Sequence, residues 1–227
     1  MTGHIIYLIS IWALPAIIAI TFHEAAHAYA AHVLGDHTAW WLGRASLNPL
    51  RHIDPFGTVL LPGLLLLSGA PFLFGYAKPV PIDARALRRP RRDLALVAAA
   101  GPAMNLALAV IAALAFHMVG YLPATSAQWL AENLKNALII NVVLALFNLI
   151  PLPPLDGGRI LVSMLPRSLA NPLSNLEPYG FIILIGAFVV LPLLGTQTGL
   201  DLGAASQLLA SSADAAIGGI LRLTGNA

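Results

Sequence analysis

Cysteine is absent from this 227-residue chain, so it holds no disulfide, and any metal it binds takes nitrogen and oxygen ligands. Charge is scarce as well. Asp, Glu, Lys and Arg make up 10% of the residues and hydrophobic residues 58%, whereas a soluble domain carries roughly a quarter charged. Together with a mean hydropathy of +0.81 this excludes an ordinary soluble domain. A basic nucleic-acid patch is excluded by position. Six of the twelve Lys and Arg residues fall between Lys78 and Arg92, but that loop sits between two hydrophobic runs. A cleavable signal peptide is not expected: the first four residues contain no Lys or Arg, and the first apolar run ends in His and Glu.

What is present is a series of uncharged runs, at 5–22, 55–77, 94–116, 137–155 and 179–200. About 20 apolar residues in a helix span a hydrocarbon core of roughly 30 Å. The expected fold is an all-α polytopic membrane protein with about five to six transmembrane helices. The runs fill the chain, so residues 1–227 read as one domain, with a core over about 5–195 and a C-terminal helix at about 202–221. That last helix is interrupted by Ser206, Gln207, Ser211, Ser212 and Asp214, and it either crosses the membrane or lies at its surface.

Basic residues mark cytoplasmic loops. If the segments carrying Arg44, Arg51 and Lys78–Arg92 are all cytoplasmic, the run 55–77 enters and leaves on one side. Its Pro62, Gly63, Gly69, Pro71 and Gly75 suit a broken, re-entrant element. Only Lys135 then lies outside. The consequence is that three unusual segments, "HEAAH" (23–27), "GPAMN" (101–105) and "NLIPLPPLDGGR" (148–159), fall at similar depth.

The stretch "ITFHEAAHAY" (20–29) places ionisable groups near the end of an apolar helix, where they are costly and mark function. His23 and His27, four apart, share a helix face and can bind one metal ion. Glu24, beside the first, can reach a metal-bound water as general base without being a ligand. A catalytic zinc needs a third protein ligand. His4, His32, His37, His52 and His117 lie near predicted ends or loops and read as surface histidines, and His32 points to a different helix face. Asp156 follows the run 137–155, behind Pro153-Pro154 and ahead of Gly157-Gly158. The prolines break the helix and the glycines relax the backbone, so a carboxylate can turn back into the bundle. It either binds the metal, caps the next helix, or does both. Asn105 and Asn148 are amides inside apolar helices, where an unpaired amide is expensive. They contact substrate backbone, stabilise an oxyanion, or tie helices together. Gly101-Pro102 permits close helix approach, and Arg159 reads as a snorkelling interfacial cation.

"HEAAH", "GPAMN" and "FNLIPLPPLDGGRI" (147–160) together resemble the site-2 protease family of intramembrane zinc metalloproteases. "GRASLNPLRHIDPFGT" (43–58) and "GYAKPVPID" (75–83) are similar to its compact bacterial branch, without the PDZ or CBS modules of other branches. The resemblance covers about residues 15–195. It implies a Zn2+ cofactor held by His23, His27 and Asp156, with Glu24 as catalytic base and Asn105 and Asn148 near the active site. It also implies transmembrane segments of other proteins as substrates, within the lipid bilayer. The expected location is the bacterial inner membrane, with the site toward the cytoplasm. Because helical backbone is already hydrogen-bonded, a substrate must unwind, which an exposed strand edge would assist. "RASLNP" (44–49) and "AKPVPI" (77–82) are the candidate β edges, since proline is tolerated at an edge. Two other classes compete. A divalent-metal transporter would also bury His, Glu and Asp, but the chain has no second copy of either motif. A catalytically inactive binding protein would have no need of Glu24.

Overall fold

The computed structural model describes residues 2–60 and 77–226. Its helices, in chain order, are α1 (Thr2–Leu34), α2 (Thr38–Trp41), α3 (Pro90–Ala115), α4 (Ala124–Asn148), α5 (Asp156–Met164), α6 (Arg167–Ser174), α7 (Glu177–Ile185), α8 (Leu191–Thr198) and α9 (Ala204–Leu223). Short 3-10 turns lie at Pro49–Arg51 and Phe116–Tyr121. Wide, π-type turns lie at Pro55–Leu60 and Gly186–Val190, the second joining α7 to α8. Among the described residues there is no strand.

Four helical stretches are long and apolar enough to cross a membrane: Ile6–Leu34, Pro90–Tyr121, Ala124–Asn148 and Glu177–Thr198. The chain is an all-α polytopic membrane protein, with four such stretches among the described residues where the run lengths suggested five to six. Most of the expected re-entrant segment 55–77 lies outside the described residues, which hold only its first turn. The C-terminal helix forms at Ala204–Leu223 and is not one of the four.

The long helices pack through small side chains, as expected where lipid offers no hydrophobic contrast and close approach must do the work. Ala19, Ala28, Ala31, Ala98, Ala109, Ala113 and Ala145 are all buried. Helix α1 packs against α3 and α4, and α3 also packs on α5. Helix α9 closes one side: its Ala213 and Ile220 join Ala109, Ala112, Ala113, Leu138 and Val142 in the largest buried cluster.

Two details show how the sequence places these elements. Pro15, inside α1, has no N–H for the carbonyl of Ile11 one turn earlier. The side-chain amide of Asn136 on α4 donates to that carbonyl at 2.7 Å, so the defect becomes an interhelical bond. At the other end, α1 stops at Gly35, whose φ of +113° favours glycine. Closing bonds run from Gly35 N–H to His32 O (3.2 Å) and from Asp36 N–H to Ala31 O (2.9 Å).

The segment between α4 and α5 folds over the start of α5 so closely that side chains are excluded. A Cβ on Gly157 would lie inside 3.0 Å of the backbone of Leu149 and Ile150, and one on Gly158 would meet Leu152 and Pro153. Gly180 on α7 is pressed against the carbonyl of Pro153 in the same way. These three glycines let the loop turn Asp156 inward.

Candidate metal centre

His23, His27 and Asp156 converge in the bundle, each less than a tenth exposed. His23 Nε2 and His27 Nε2 are 3.0 Å apart, and Asp156 Oδ2 lies 3.2 Å from the first and 3.3 Å from the second. A tetrahedral zinc with ligands at about 2.0–2.1 Å separates its donor atoms by roughly 3.3 Å, so the triangle is close to the size that ion requires. The chemistry of the donors points the same way. His23 Nδ1 faces Asn105 Oδ1 at 2.5 Å and His27 Nδ1 faces the Val97 carbonyl at 2.8 Å. An oxygen acceptor at each Nδ1 places the proton there, so both Nε2 atoms of the neutral rings present lone pairs. The third vertex, Asp156 Oδ2, is buried and receives no hydrogen bond. Three lone-pair atoms aimed at one point repel one another unless a cation lies among them. The residues present therefore fit zinc, with the carbonyl and amide partners outside them orienting the rings.

Helix α3 contributes its missing side chain. A Cβ on Gly101 would fall 2.6 Å from His23 Cε1 and from His27 Cε1, so only glycine lets α3 close over the two imidazoles. The expected closeness of "GPAMN" to "HEAAH" thus has a specific cause.

Glu24 sits between the two histidines in sequence and is partly exposed. Its Oε2 accepts the backbone N–H of Val80 at 3.0 Å. Val80 belongs to segment 77–83, which forms neither helix nor strand and is fastened to the end of α1 and the loop behind it. The Lys78 N–H donates to His52 O (2.9 Å), and Arg44 Nη2 donates to Lys78 O (2.6 Å). Asp83 N–H donates to Oδ2 of Asp36 (2.7 Å), a residue with no exposure at all. At its far end the segment reaches solvent, where hydrogen bonds from the Arg85 guanidinium hold the Asp83 carboxyl below its ordinary pKa.

The structure brings together His23, His27, Asp156 and Asn105, and of the roles open to Asn105 it shows the one that ties helices together. It is fully buried, its oxygen is on His23, and its NH2 group donates to Ala19 O (3.2 Å) and Asn141 Oδ1 (2.8 Å). With both hydrogens engaged it has no donor left for a substrate or an oxyanion. Asn148 turns its NH2 group onto Leu144 O of its own helix (3.0 Å) and takes no part in the cluster's hydrogen bonds. Asp156 is the first residue of α5 and makes no capping bond to that helix; its carboxylate faces the two imidazoles instead. His32 is outside the cluster, its Nδ1 paired with His37 Nδ1 at 2.6 Å. His52, expected at the surface, is 3% exposed and holds the Ser46 carbonyl through Nε2 (2.8 Å). Arg159 reaches toward Glu177, 3.8 Å away.

Of the two candidate β edges, 44–49 is a turn: Asn48 N–H bonds Ser46 Oγ, and Asn48 Oδ1 accepts Leu50 N–H to open the 3-10 turn. Segment 77–82 has no ladder partner among the described residues. Asn141, which bonds Asn105 behind His23, is a buried polar residue the sequence reading did not single out. Its signal was the run Asn133, Asn136, Asn141 along one helix, all three buried.

The model of peptidase family M50 matches residues 116–193, a stretch that includes Asp156. Among curated proteins, the chain is 41% identical to "Putative zinc metalloprotease YwhC" of Bacillus subtilis (strain 168), over 76% of this chain and 77% of that one. It is 29% identical to "Putative zinc metalloprotease Rip2" of Mycolicibacterium smegmatis, over 74% of this chain and 62% of that one. With the Rip2 of Mycobacterium tuberculosis (strain H37Rv) the identity is 28%, over 86% and 75%. No solved structure matches the chain.

Proposed function

The chain belongs to the zinc metalloproteases of peptidase family M50, the site-2 protease family, and from that footing we propose that it hydrolyses peptide bonds in or near transmembrane segments of other membrane proteins. The observation that carries this reading is the His23–His27–Asp156 triangle inside helices long and apolar enough to span a bilayer. A soluble protein substrate could not reach such a centre, whereas a segment already in the membrane is delivered to it. A cavity of about 610 Å³ between α1 and α3, lined by Phe22, Ala25, Tyr29, Ala100, Ala103 and Met104, supports this. Its residues neighbour His23 and Gly101 in sequence, and its apolar wall suits the side chains of a membrane segment.

His23, His27 and Asp156 would hold the zinc. When bound, zinc polarises the scissile carbonyl and makes water a stronger acid. Glu24 is the general base: it takes a proton from the attacking water and passes it to the leaving amine. The Val80 N–H holds Glu24 Oε2, which leaves Oε1 as the oxygen that carries the proton. That bond also ties the base to segment 77–83, so a substrate strand laid along this segment would run past the reacting carboxylate. The N–H groups of Lys78 and Val80 are already engaged on the protein side, and Pro79 and Pro81 have none. Arg44 Nη2 also occupies the carbonyls of Lys78 and Pro79, so the carbonyls that would accept hydrogen bonds from an unwound substrate's amides are those beyond Pro79.

Arg44, Lys78, Arg85, Arg88, Arg89, Arg91, Arg92 and Arg159 lie in segments that adjoin the metal-binding end of α1 and α4. By the positive-inside rule this supports a cytoplasmic-side site in the bacterial inner membrane. Bound metal per chain tests the centre: one zinc in wild type, lost in Asp156→Ala. Cleavage of a reporter with a transmembrane segment, co-reconstituted in vesicles, tests the chemistry. Wild type free of zinc after chelator-free purification would refute the site, and equal cleavage by Glu24→Gln would refute the assigned base.

A further inference from the structure

We propose that Asn141 is a positioning residue for the metal centre, acting through Asn105 to hold His23 in the tautomer whose Nε2 can bind zinc. The zinc part of this inference rests on the reading above; the tautomer part does not.

Two groups here can only accept, the backbone carbonyls of Ala137 and Ala19. Asn141 Nδ2 donates to Ala137 O at 2.8 Å. An amide has one oxygen and one NH2 group, so this bond turns Asn141 Oδ1 the other way, to within 2.8 Å of Asn105 Nδ2. The same Nδ2 gives its second hydrogen to Ala19 O at 3.2 Å. With both hydrogens of Asn105 assigned, its Oδ1 is the atom left for His23 Nδ1, 2.5 Å away. An oxygen there requires a proton on Nδ1. A neutral imidazole carries one ring proton, so Nε2 keeps its lone pair, directed at His27 Nε2 and Asp156 Oδ2.

Reversing either amide breaks the chain of donors. Asn141 turned over would set carbonyl against carbonyl at Ala137. Asn105 turned over would present hydrogens to Nδ1, move the ring proton to Nε2, and close that atom to a metal. No water is available to compensate, because Asn105 is 0% and Asn141 2% exposed, and a dry polar chain is held by its own partners. His27 has no such relay: its Nδ1 faces the Val97 carbonyl, a backbone oxygen that cannot flip. One ring is oriented by the backbone directly, the other through two rotatable amides, and Asn141 joins the Ala19 carbonyl in fixing which way Asn105 points.

The experiment measures zinc affinity of the full chain in detergent, by competition with a chelator, for wild type, Asn141→Leu and Asn141→Asp. Leucine has a similar volume and no polar atom. A buried, protonated aspartic acid keeps a donor for Ala137 and an acceptor for Asn105, so it is the rescuing variant. The expected result is an affinity about 10–100-fold weaker in Asn141→Leu and near wild type in Asn141→Asp, the range usual for groups behind a ligand. Equal affinity in wild type and Asn141→Leu would overturn the proposal, as would equal losses in both variants. A second readout needs no variant of Asn141 to fold. Nitrogen NMR of metal-free, 15N-histidine-labelled wild type, with His23 assigned by its loss in His23→Asn, should show His23 protonated at Nδ1; protonation at Nε2 overturns the relay. Wild type that binds no zinc refutes the metal reading, and the tautomer measurement then judges the relay alone.

Discussion

A methyl group at Gly101 should cost the protein its zinc. A Cβ there would stand 2.4 Å from His27 Nε2 and 2.6 Å from Cε1 of both His23 and His27, where ordinary contact begins at 3.4 Å. The difference, 3.4 − 2.4 Å, means that the rings or the whole of α3 must shift by about 1.0 Å, several times the roughly 0.2 Å that a metal–ligand distance tolerates. Neither ring can swing aside freely, because their Nδ1 atoms are tied to Asn105 and Val97. Perturbing a group behind a ligand costs about 10–100-fold in affinity. Displacing two ligands at once should exceed 100-fold, or about 2.8 kcal/mol at about 1.4 kcal/mol per tenfold. Overpacking should also lower stability by about 1–3 kcal/mol. The assay is zinc stoichiometry and chelator competition on Gly101→Ala. Gly218→Ala serves as control, since a Cβ there meets nothing within 4 Å and alanine favours the helix. A Gly101→Ala protein that binds zinc with wild-type affinity would refute the argument that α3 closes over the imidazoles.

Other consequences are as direct. Glu24→Gln should keep one zinc per chain and lower the rate of cleavage about 10²–10⁴-fold; loss of zinc in this variant would mean that Glu24 is a ligand. Asn136→Leu should destabilise the bundle by about 0.6–1.7 kcal/mol, the range for hydrogen bonds within membranes, because it strands the Ile11 carbonyl that Pro15 leaves unpaired. In Pro15→Ala, which supplies the missing N–H, the same substitution should cost measurably less; equal costs in the two backgrounds would disprove the coupling. Asp36→Ala removes the anchors of Thr38 and Asp83 and should lower cleavage while leaving zinc content unchanged. Unaltered kcat/KM would show that the tether of segment 77–83 is dispensable.

The membrane class, the helical architecture and the candidate donors His23 and His27 were legible in one dimension because each is a local property. Uncharged runs announce their lengths directly, and a four-residue spacing of His23 and His27 fixes a shared helix face whatever surrounds it. Asp156 stood out through its neighbours, Pro153, Pro154, Gly157 and Gly158, which mark a backbone turned on itself. The C-terminal helix was placed to within two or three residues, at 204–223 against about 202–221, because its polar residues interrupt hydropathy without breaking helical spacing.

What the sequence could not assign were the partners of buried polar groups, since a side chain's composition names its donors and acceptors but not who meets them. Asn105 and Asn148 look alike in the chain, as amides in apolar helices. Packing sends one to His23 and the other back to Leu144. His52 resembled a surface histidine until the loop folded over it, and 44–49 resembled a strand until Ser46 and Asn48 bonded the backbone locally. Gly101 illustrates the division most clearly. By itself it says only that something comes close; the tertiary structure decides that the something is a pair of imidazoles. Local sequence therefore determined the class of the molecule and singled out its candidate metal donors. Long-range contacts, which depend on how three helices approach one another, decided how those donors are held.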